Sequence, residues 1–307
     1  MTKNQRQFWP WIDDEQWNDW NRQMSAALKQ EIESSVLIDK RNRRLVVNSY
    51  PTGTEPWKFA DSLKTVAKRY DLGKIWLWAL PEDVPDFLRS GFHLEGHLFR
   101  GKYNKFVVSL AHFPQRERRK SATLPLEDEV LQTVLTEKTL SRTFVLQGIS
   151  LDTLNQLYAK QVSQLLTKIF SSYPSPVGDP QYISSMMQKK CIFAGAFDQD
   201  NLIGVAAAYV DSRFGRCEMT DCAVLNEYRG YSLSEKLLKI LEKEVRKLGP
   251  YTLYTLAKAQ SAAMNRVFFK LGYQYTGRLI NNCHISGSFQ DMNLWVNMNE
   301  QSFNKGT

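Results

Sequence analysis

Cys217–Gly249 reads CEMTDCAVLNEYRGYSLSEKLLKILEKEVRKLG, and this stretch decides the fold. CEMTDCAVL is an apolar, strand-like run, NEYRGYS is a tight turn, and LSEKLLKILEKEVRKLG is amphipathic. Leu233, Leu237, Leu241, Val245 and Leu248 recur at helical spacing, so one face packs on a sheet while Lys236, Lys239, Lys243 and Lys247 face water. A strand running straight into a helix aims several unpaired N–H groups and the positive end of the helix dipole at one spot, which suits a phosphate. Strand, turn and helix alone also describe an ordinary α/β crossover.

Outward from this unit, residues from Thr143 read as strand (FVLQGIS), long helix (LDTLNQLYAKQVSQLLTKIF), Pro-rich loop (SSYPSPVGDP), helix (QYISSMMQKK) and hairpin (CIFAGAF, NLIGVAAAYV). After the central unit come strand (YTLYTLAKA), helix (SAAMNRVFFKLG) and two final strands. Hairpins around one crossover predict an α/β domain with a mixed, mostly antiparallel sheet over residues 142–300. Residues 34–115 read as a smaller α/β domain: a hairpin in VLIDKRNRRLVVNSY, a helix in PWKFADSLKTVAKRYDL, a buried strand in KIWLWAL and a helix closing at Gly91. Phe87–Gly96 (FLRSGFHLEG) parallels Phe268–Gly277 (FFKLGYQYTG), each after an apolar strand, so the first domain reads as a decayed internal copy. It has no phosphate-binding turn, and is expected to complete the structure or to shape a substrate cleft. Charged, helix-prone residues 116–141 read as a linker. His93 and His97, four apart on a strand-like run, would share a face without a third ligand, so no metal is expected.

The chain has 307 residues, 43% hydrophobic and 23% charged, with a net charge of +8. That is room for two domains, and no apolar run reaches the roughly 18 residues a membrane span needs. No signal pattern opens the chain, so the cytoplasm is expected. Cys191, Cys217, Cys222 and Cys283 lack metal-ligand spacing and read as buried free thiols. The basic runs Lys40–Arg44 and Arg116–Lys120 are short and lack interleaved aromatics, so they read as solvated segments or phosphate contacts rather than a nucleic-acid interface. Residues 1–33 hold Trp9, Trp11, Trp17 and Trp20 among Asp and Gln; they must dock on the rest of this chain or on a partner.

Arg229-Gly230-Tyr231-Ser232-Leu233-Ser234 after CEMTDCAV resembles the pyrophosphate loop of the GNAT acetyltransferases, Gln/Arg-x-x-Gly-x-Gly/Ala, with Ser at both later small positions. The element order over residues 143–298 is that of the same superfamily. Ser172–Pro180, Thr220–Ala223, Ser261–Asn265, Gly277–Cys283 and Phe289–Trp295 resemble the beta-lysine N-acetyltransferases, and the likeness runs over residues 36–298. It implies a C-terminal GNAT acyltransferase fold preceded by a degenerate GNAT-like domain, with acetyl-CoA as donor and beta-lysine as acceptor. The product would be N-epsilon-acetyl-beta-lysine, a compatible solute. The Trp-rich head resembles the N-terminal segment of lysine 2,3-aminomutases, which implies that enzyme as a partner.

Acetyl transfer needs a neutral amine. A lysine-type ammonium with a pKa near 10.4 is about one part in a thousand neutral at pH 7.4, a deficit of roughly 4 kcal/mol, so a base is required. The resemblance puts Glu218 in the position of the catalytic Glu of the Glu-x-x-x-Cys-Ala-Val branch, with Asp221 expected to hold an ammonium. Three residues apart, the two face opposite sides of a regular strand, and only a bulge turns both inward. The backbone of Cys222, Ala223 and Val224 is expected to pair with the pantetheine arm, and Arg229 to Ser234 with the diphosphate. Asn265 and Phe268, on the later helix, are placed on the cofactor side. The usual acid position reads Phe268, leaving Tyr231, Tyr251, Tyr254, Tyr273 or solvent to protonate the thiolate. Tyr173 and Asp179, on the Pro-rich loop, and Arg278, Asn281, Asn282, Asp291 and Asn293, on the last strands, are expected around the substrate; Asn281-Asn282 also reads as a plain turn or bulge. Transfer to a polyamine or protein lysine, or a non-catalytic acetyl-CoA-binding scaffold, are the competing readings.

Overall fold

The computed structural model describes residues 35–50, 53–100, 105–136, 146–189, 191–249 and 251–297. The Trp-rich head lies outside them. Val36–Asp39 (β1) and Arg44–Val47 (β2) form the expected hairpin. Pro56–Arg69 (α1) follows, with Pro56 in its first turn and Phe59, Ala60, Leu63 and Ala67 buried along one stripe. Lys74–Ala79 (β3), Val84–Arg89 (α2), His93–Arg100 (β4) and Lys105–His112 (β5) complete a five-stranded sheet of order β1-β2-β3-β5-β4.

Leu124–Thr136 (α3), Ile149–Leu154 (β6), Ala159–Ile169 (α4), Pro180–Lys189 (α5), Cys191–Asp198 (β7) and Asn201–Asp211 (β8) lead to the central unit. That unit is Arg216–Val224 (β9) and Leu233–Leu248 (α6). Thr252–Lys258 (β10), Ala262–Lys270 (α7), Gln274–Ile285 (β11) and Ser288–Asn297 (β12) end the described fold. The second sheet has seven strands in the order β11-β12-β10-β9-β8-β7-β6, all antiparallel except the β9–β10 pair.

The internal similarity extends to topology. β2-β3-β5-β4 repeats as β9-β10-β12-β11, with the first pair parallel and the rest antiparallel in both. α2 and α7 precede equivalent strands and close at Gly91 and Gly272, both at φ +82. β4 and β11 each carry a bulge at the equivalent glycine, Gly96 and Gly277, and the two glycines touch. A Cβ on Gly277 would sit 2.0 Å from the Glu95 carbonyl oxygen, so only glycine allows this crossing.

One face of the first sheet buries α1 and α2, with Phe59, Leu63, Ile75, Leu77 and Phe87 in that core. Its other face lies on the β10–β12 end of the second sheet through Trp76, Trp78, Leu98, Tyr254, Leu294 and Val296. Over β6–β9 the second sheet instead carries α4 and α5 on one face and α6 on the other. The two sheets are bolted by Lys74 and Glu95, a 2.9 Å ion pair with side chains 0% and 3% exposed. Lys74 Nζ also donates to the Ile280 carbonyl, and the Ile280 N–H donates to Glu95.

Four expectations change. Leu151–Leu154, read as the start of the long helix, belong to β6, and α4 begins at Ala159. Residues 116–141 are not a free linker up to Thr136: α3 packs on α7 and adds Leu131 and Val134 to the core that α6 shares, and Glu127 is buried beside Arg278. The two basic runs are not solvated throughout. Arg44 pairs with Asp39 at 2.9 Å, and Arg118 is buried, donating to the carbonyls of Asn42, Arg43 and Asn281 while lying over the Phe289 ring. His93 and His97 do not share a face. The bulge between Leu94 and Gly96 pairs them with Ala111 and Val108, three apart on β5 and so on opposite sides of the sheet.

Candidate active site

β9 and β10 run parallel and paired only through Arg216–Thr252, Cys217–Leu253 and Glu218–Tyr254. Beyond that point the ladder stops, although β9 continues to Val224 and β10 to Lys258. The strands therefore present unshared backbone groups to each other across a slot that an extended chain can enter as an added strand. Cys222, Ala223 and Val224 form one wall of it; Ala223 and Val224 keep their β8 partners, Val205 and Gly204, on the far side.

The same strand holds a bulge. Asp221 and Cys222 together oppose Ala206, and Asp221 takes φ +50. Arg216, Glu218 and Thr220 alternate onto one face, and the left-handed Asp221 turns onto it as well. The bulge required to bring Glu218 and Asp221 together is thus present.

All four side chains line a cavity of about 210 Å³. Its other walls come from Tyr173 to Ser175 on the Pro-rich loop, from Tyr182 and Met186 of α5, and from Leu37, Asp39, Arg44, Val46 and Trp76 of the first sheet. The N-terminal half therefore closes the cleft. Burial pushes the Glu218 carboxyl above its ordinary value, against the pull of a 3.2 Å hydrogen bond from the Tyr254 hydroxyl and of Arg216 and Arg44. Burial likewise raises Asp221, opposed by hydrogen bonds from Tyr173 and Thr220.

At the end of β9 the chain turns through Gly230 at φ +87 and Ser232 at φ +57 into α6. Ser232 makes no side-chain cap, so the first-turn N–H groups have neither an intrahelical acceptor nor a capping oxygen. Ser234 hydrogen-bonds the Cys222 thiol, which burial pushes up to about 11. Arg229 is exposed beside the turn, with Nε 3.4 Å from the Val224 carbonyl oxygen.

The acetyltransferase (GNAT) family model matches residues 159–273. N-acetyltransferase YodP of Bacillus subtilis is 35% identical over 261 residues, covering 84% of this chain and 93% of its own. The beta-lysine N(6)-acetyltransferase of Methanococcus maripaludis is 30% identical over 271 residues, covering 88% and 98%. The chain belongs to the GNAT family of N-acetyltransferases. Among solved structures, yncA of Salmonella typhimurium with acetyl-CoA aligns at a TM-score of 0.44 and 15% identity, covering 50% of this chain and 96% of that one.

The donor of this acetyltransferase is acetyl-CoA, which supplies an activated acetyl thioester. The residues present fit it: an open strand edge meets a helix N-terminus whose N–H groups are free for a diphosphate. Glu218 and Asp221 bring two carboxylates into one cavity, a pair of groups able to bind or deprotonate an ammonium. An N–H in the 222–224 wall is placed to polarise a carbonyl in the slot. Of the tyrosines considered as acids, Tyr254 donates its hydroxyl to Glu218 at 3.2 Å, whereas Tyr273 is buried beside Glu242 under α6. A thiol is acidic enough to leave to solvent.

Several expected site residues lie elsewhere. Asn265 is fully buried and saturated: its amide donates to the Lys258, Ala259 and Ser261 carbonyls, and its oxygen accepts from Asn293 and Trp295. No polar atom of it remains for a cofactor. Phe268 is core, edge-on to Tyr273 at 5.2 Å. Asp179 is exposed and accepts from the Gln181 N–H at the start of α5.

Arg278, Asn281, Asn282, Asp291 and Asn293 do not line the cavity. Arg278 binds Asn293 at 2.9 Å and Asp128 at 2.7 Å; Asp291 accepts from the Asn281 N–H at 2.6 Å; Asn281 donates to the Arg118 and Lys120 carbonyls. Asn282 is buried, its carbonyl accepting from Arg44. They form the polar packing that ties β11 and β12 to α3, α7 and the first domain. The sequence reading instead misses Arg216, Arg44 and Asp39 in the cavity wall. Arg216 alone carried a signal, standing two residues before Glu218 and so on its face.

Proposed function

We propose that this acetyltransferase transfers the acetyl group of acetyl-CoA to N6 of beta-lysine by direct attack, with Glu218 as base and Asp221 holding an ammonium. The observation that carries the reading is the bulge at Asp221, which puts both carboxylates into one cavity lined by β9, β10 and the first sheet. The likeness to the Methanococcus beta-lysine N(6)-acetyltransferase supports the acceptor. A roofed cavity of about 210 Å³ favours a free amino acid over a lysine on a protein or a long polyamine. In this reading the product is a compatible solute made in the cytoplasm, and the amine comes from an aminomutase acting on lysine.

The test is purified protein with acetyl-CoA and beta-lysine, thiol release followed by absorbance and the product assigned by NMR. Acetyl on N6, with beta-lysine preferred over alpha-lysine, is expected. Acetyl on N3, or equal use of alpha-lysine, would overturn the assignment.

A further inference from the structure

We propose that Arg216 forms a carboxylate subsite, so that the acceptor is read as an amino acid and not merely as a diamine. This rests on the cavity being the acceptor site, as above. Arg216 opens β9, lines the cavity and is 3% exposed. Its guanidinium is held by the protein on one edge: Nη2 donates to Asn48 Oδ1, and Nε lies 3.4 Å from Asp211 Oδ2 without hydrogen-bond geometry. The rings of Phe214, Trp78 and Tyr254 surround it, 5.1, 5.4 and 5.9 Å from the guanidinium carbon, and fix its plane.

Nη1 is buried with no hydrogen-bond partner among the described residues. A buried charged donor left unmade is expensive, and a guanidinium edge is the side-chain geometry best matched to a carboxylate. Arg44, the other cation in the wall, already commits Nε to Asp39 and Nη1 to the Asn282 carbonyl and the Cys283 sulfur, whereas Arg216 keeps a buried donor unused.

Length and charge agree. Arg216 and Glu218 are alternate residues on one strand face, about 6.8 Å apart along the strand. The six bonds from N6 to C1 of an extended beta-lysine span about 7 Å at ordinary bond lengths. Asp39 pairs with Arg44 and Asp211 with Arg216, which leaves Glu218 and Asp221 for the two nitrogens of the substrate.

The experiment compares beta-lysine with 1,4-diaminopentane, the same skeleton without its carboxyl, in wild type, Arg216→Met and Arg216→Lys at saturating acetyl-CoA. Wild type should prefer beta-lysine by about 10- to 100-fold in kcat/KM, the range expected for a charge-assisted pair. In Arg216→Met that ratio should collapse towards one, mainly through KM for beta-lysine, and Arg216→Lys should fall between. Equal use of both amines by wild type, or a ratio that survives Arg216→Met, would overturn the subsite and leave the transferase reading intact. Turnover of neither amine would overturn the beta-lysine reading and this subsite with it. The wild-type comparison decides even if Arg216→Met folds poorly.

Discussion

Glu218→Gln removes the proposed base while keeping an oxygen to accept the Tyr254 hydroxyl, now 3.2 Å from Glu218 Oε2, so the cavity wall should survive the change. The magnitude follows from the amine. About 0.1% of a group with pKa near 10.4 is neutral at pH 7.4, a deficit of about 4 kcal/mol, and a placed general base recovers about 10²- to 10⁴-fold. Because burial raises the Glu218 carboxyl, wild-type kcat/KM should be lost on acidification above the usual carboxylate range, as the base becomes protonated. The variant should be about 10²- to 10³-fold slower at pH 7. It should then gain about tenfold per pH unit as the free amine deprotonates, so the two profiles meet at about pH 9 to 10. Thiol release measured from pH 5.5 to 10 reads this directly. A variant at wild-type rate, or one slowed equally at every pH, would refute Glu218 as the base.

Two further substitutions test the architecture. Lys74→Met strands the buried Glu95 and should lower unfolding free energy by about 3–5 kcal/mol in chemical denaturation, with Glu95→Gln milder; an unchanged midpoint would show that the pair does not bolt the sheets. Asn265→Ala orphans Trp295 Nε1 and the Asn293 amide and should cost about 2 kcal/mol or more of stability, while coenzyme A affinity of the folded protein, read by calorimetry, stays within threefold; lost affinity at unchanged stability would return Asn265 to the cofactor site.

The central unit and the order of the elements are legible because each rests on local rules: helical periodicity from Leu233 to Val245, all-buried β3, and glycines at positive φ closing α2 and α7. The repeat is legible through Gly96 and Gly277, whose contact no other residue permits. The substrate residues are less so. Polar residues on β11 and β12 look like binding groups, but bulges at Tyr275–Gly277 and Leu279–Cys283 break the period-two rule, and partners in α3 and in Arg118 are invisible locally. Arg216 escapes because a lone Arg at the start of a strand ordinarily points to solvent; only the first sheet, which meets it through Asn48, 168 positions upstream, makes it a cavity wall. Arg44 escapes for the same reason, since its burial depends on pairing with Asp39 and on Asn282 of the last hairpin.

The most direct measurement is a crystal structure with coenzyme A and beta-lysine bound together. Pantetheine between β9 and β10, the diphosphate at the Gly230–Ser234 turn and a substrate nitrogen in hydrogen-bond reach of Glu218 are expected. Coenzyme A bound away from that slot, or the amine held outside the cavity roofed by the first sheet, would contradict a single reaction centre shared by the two halves of the chain.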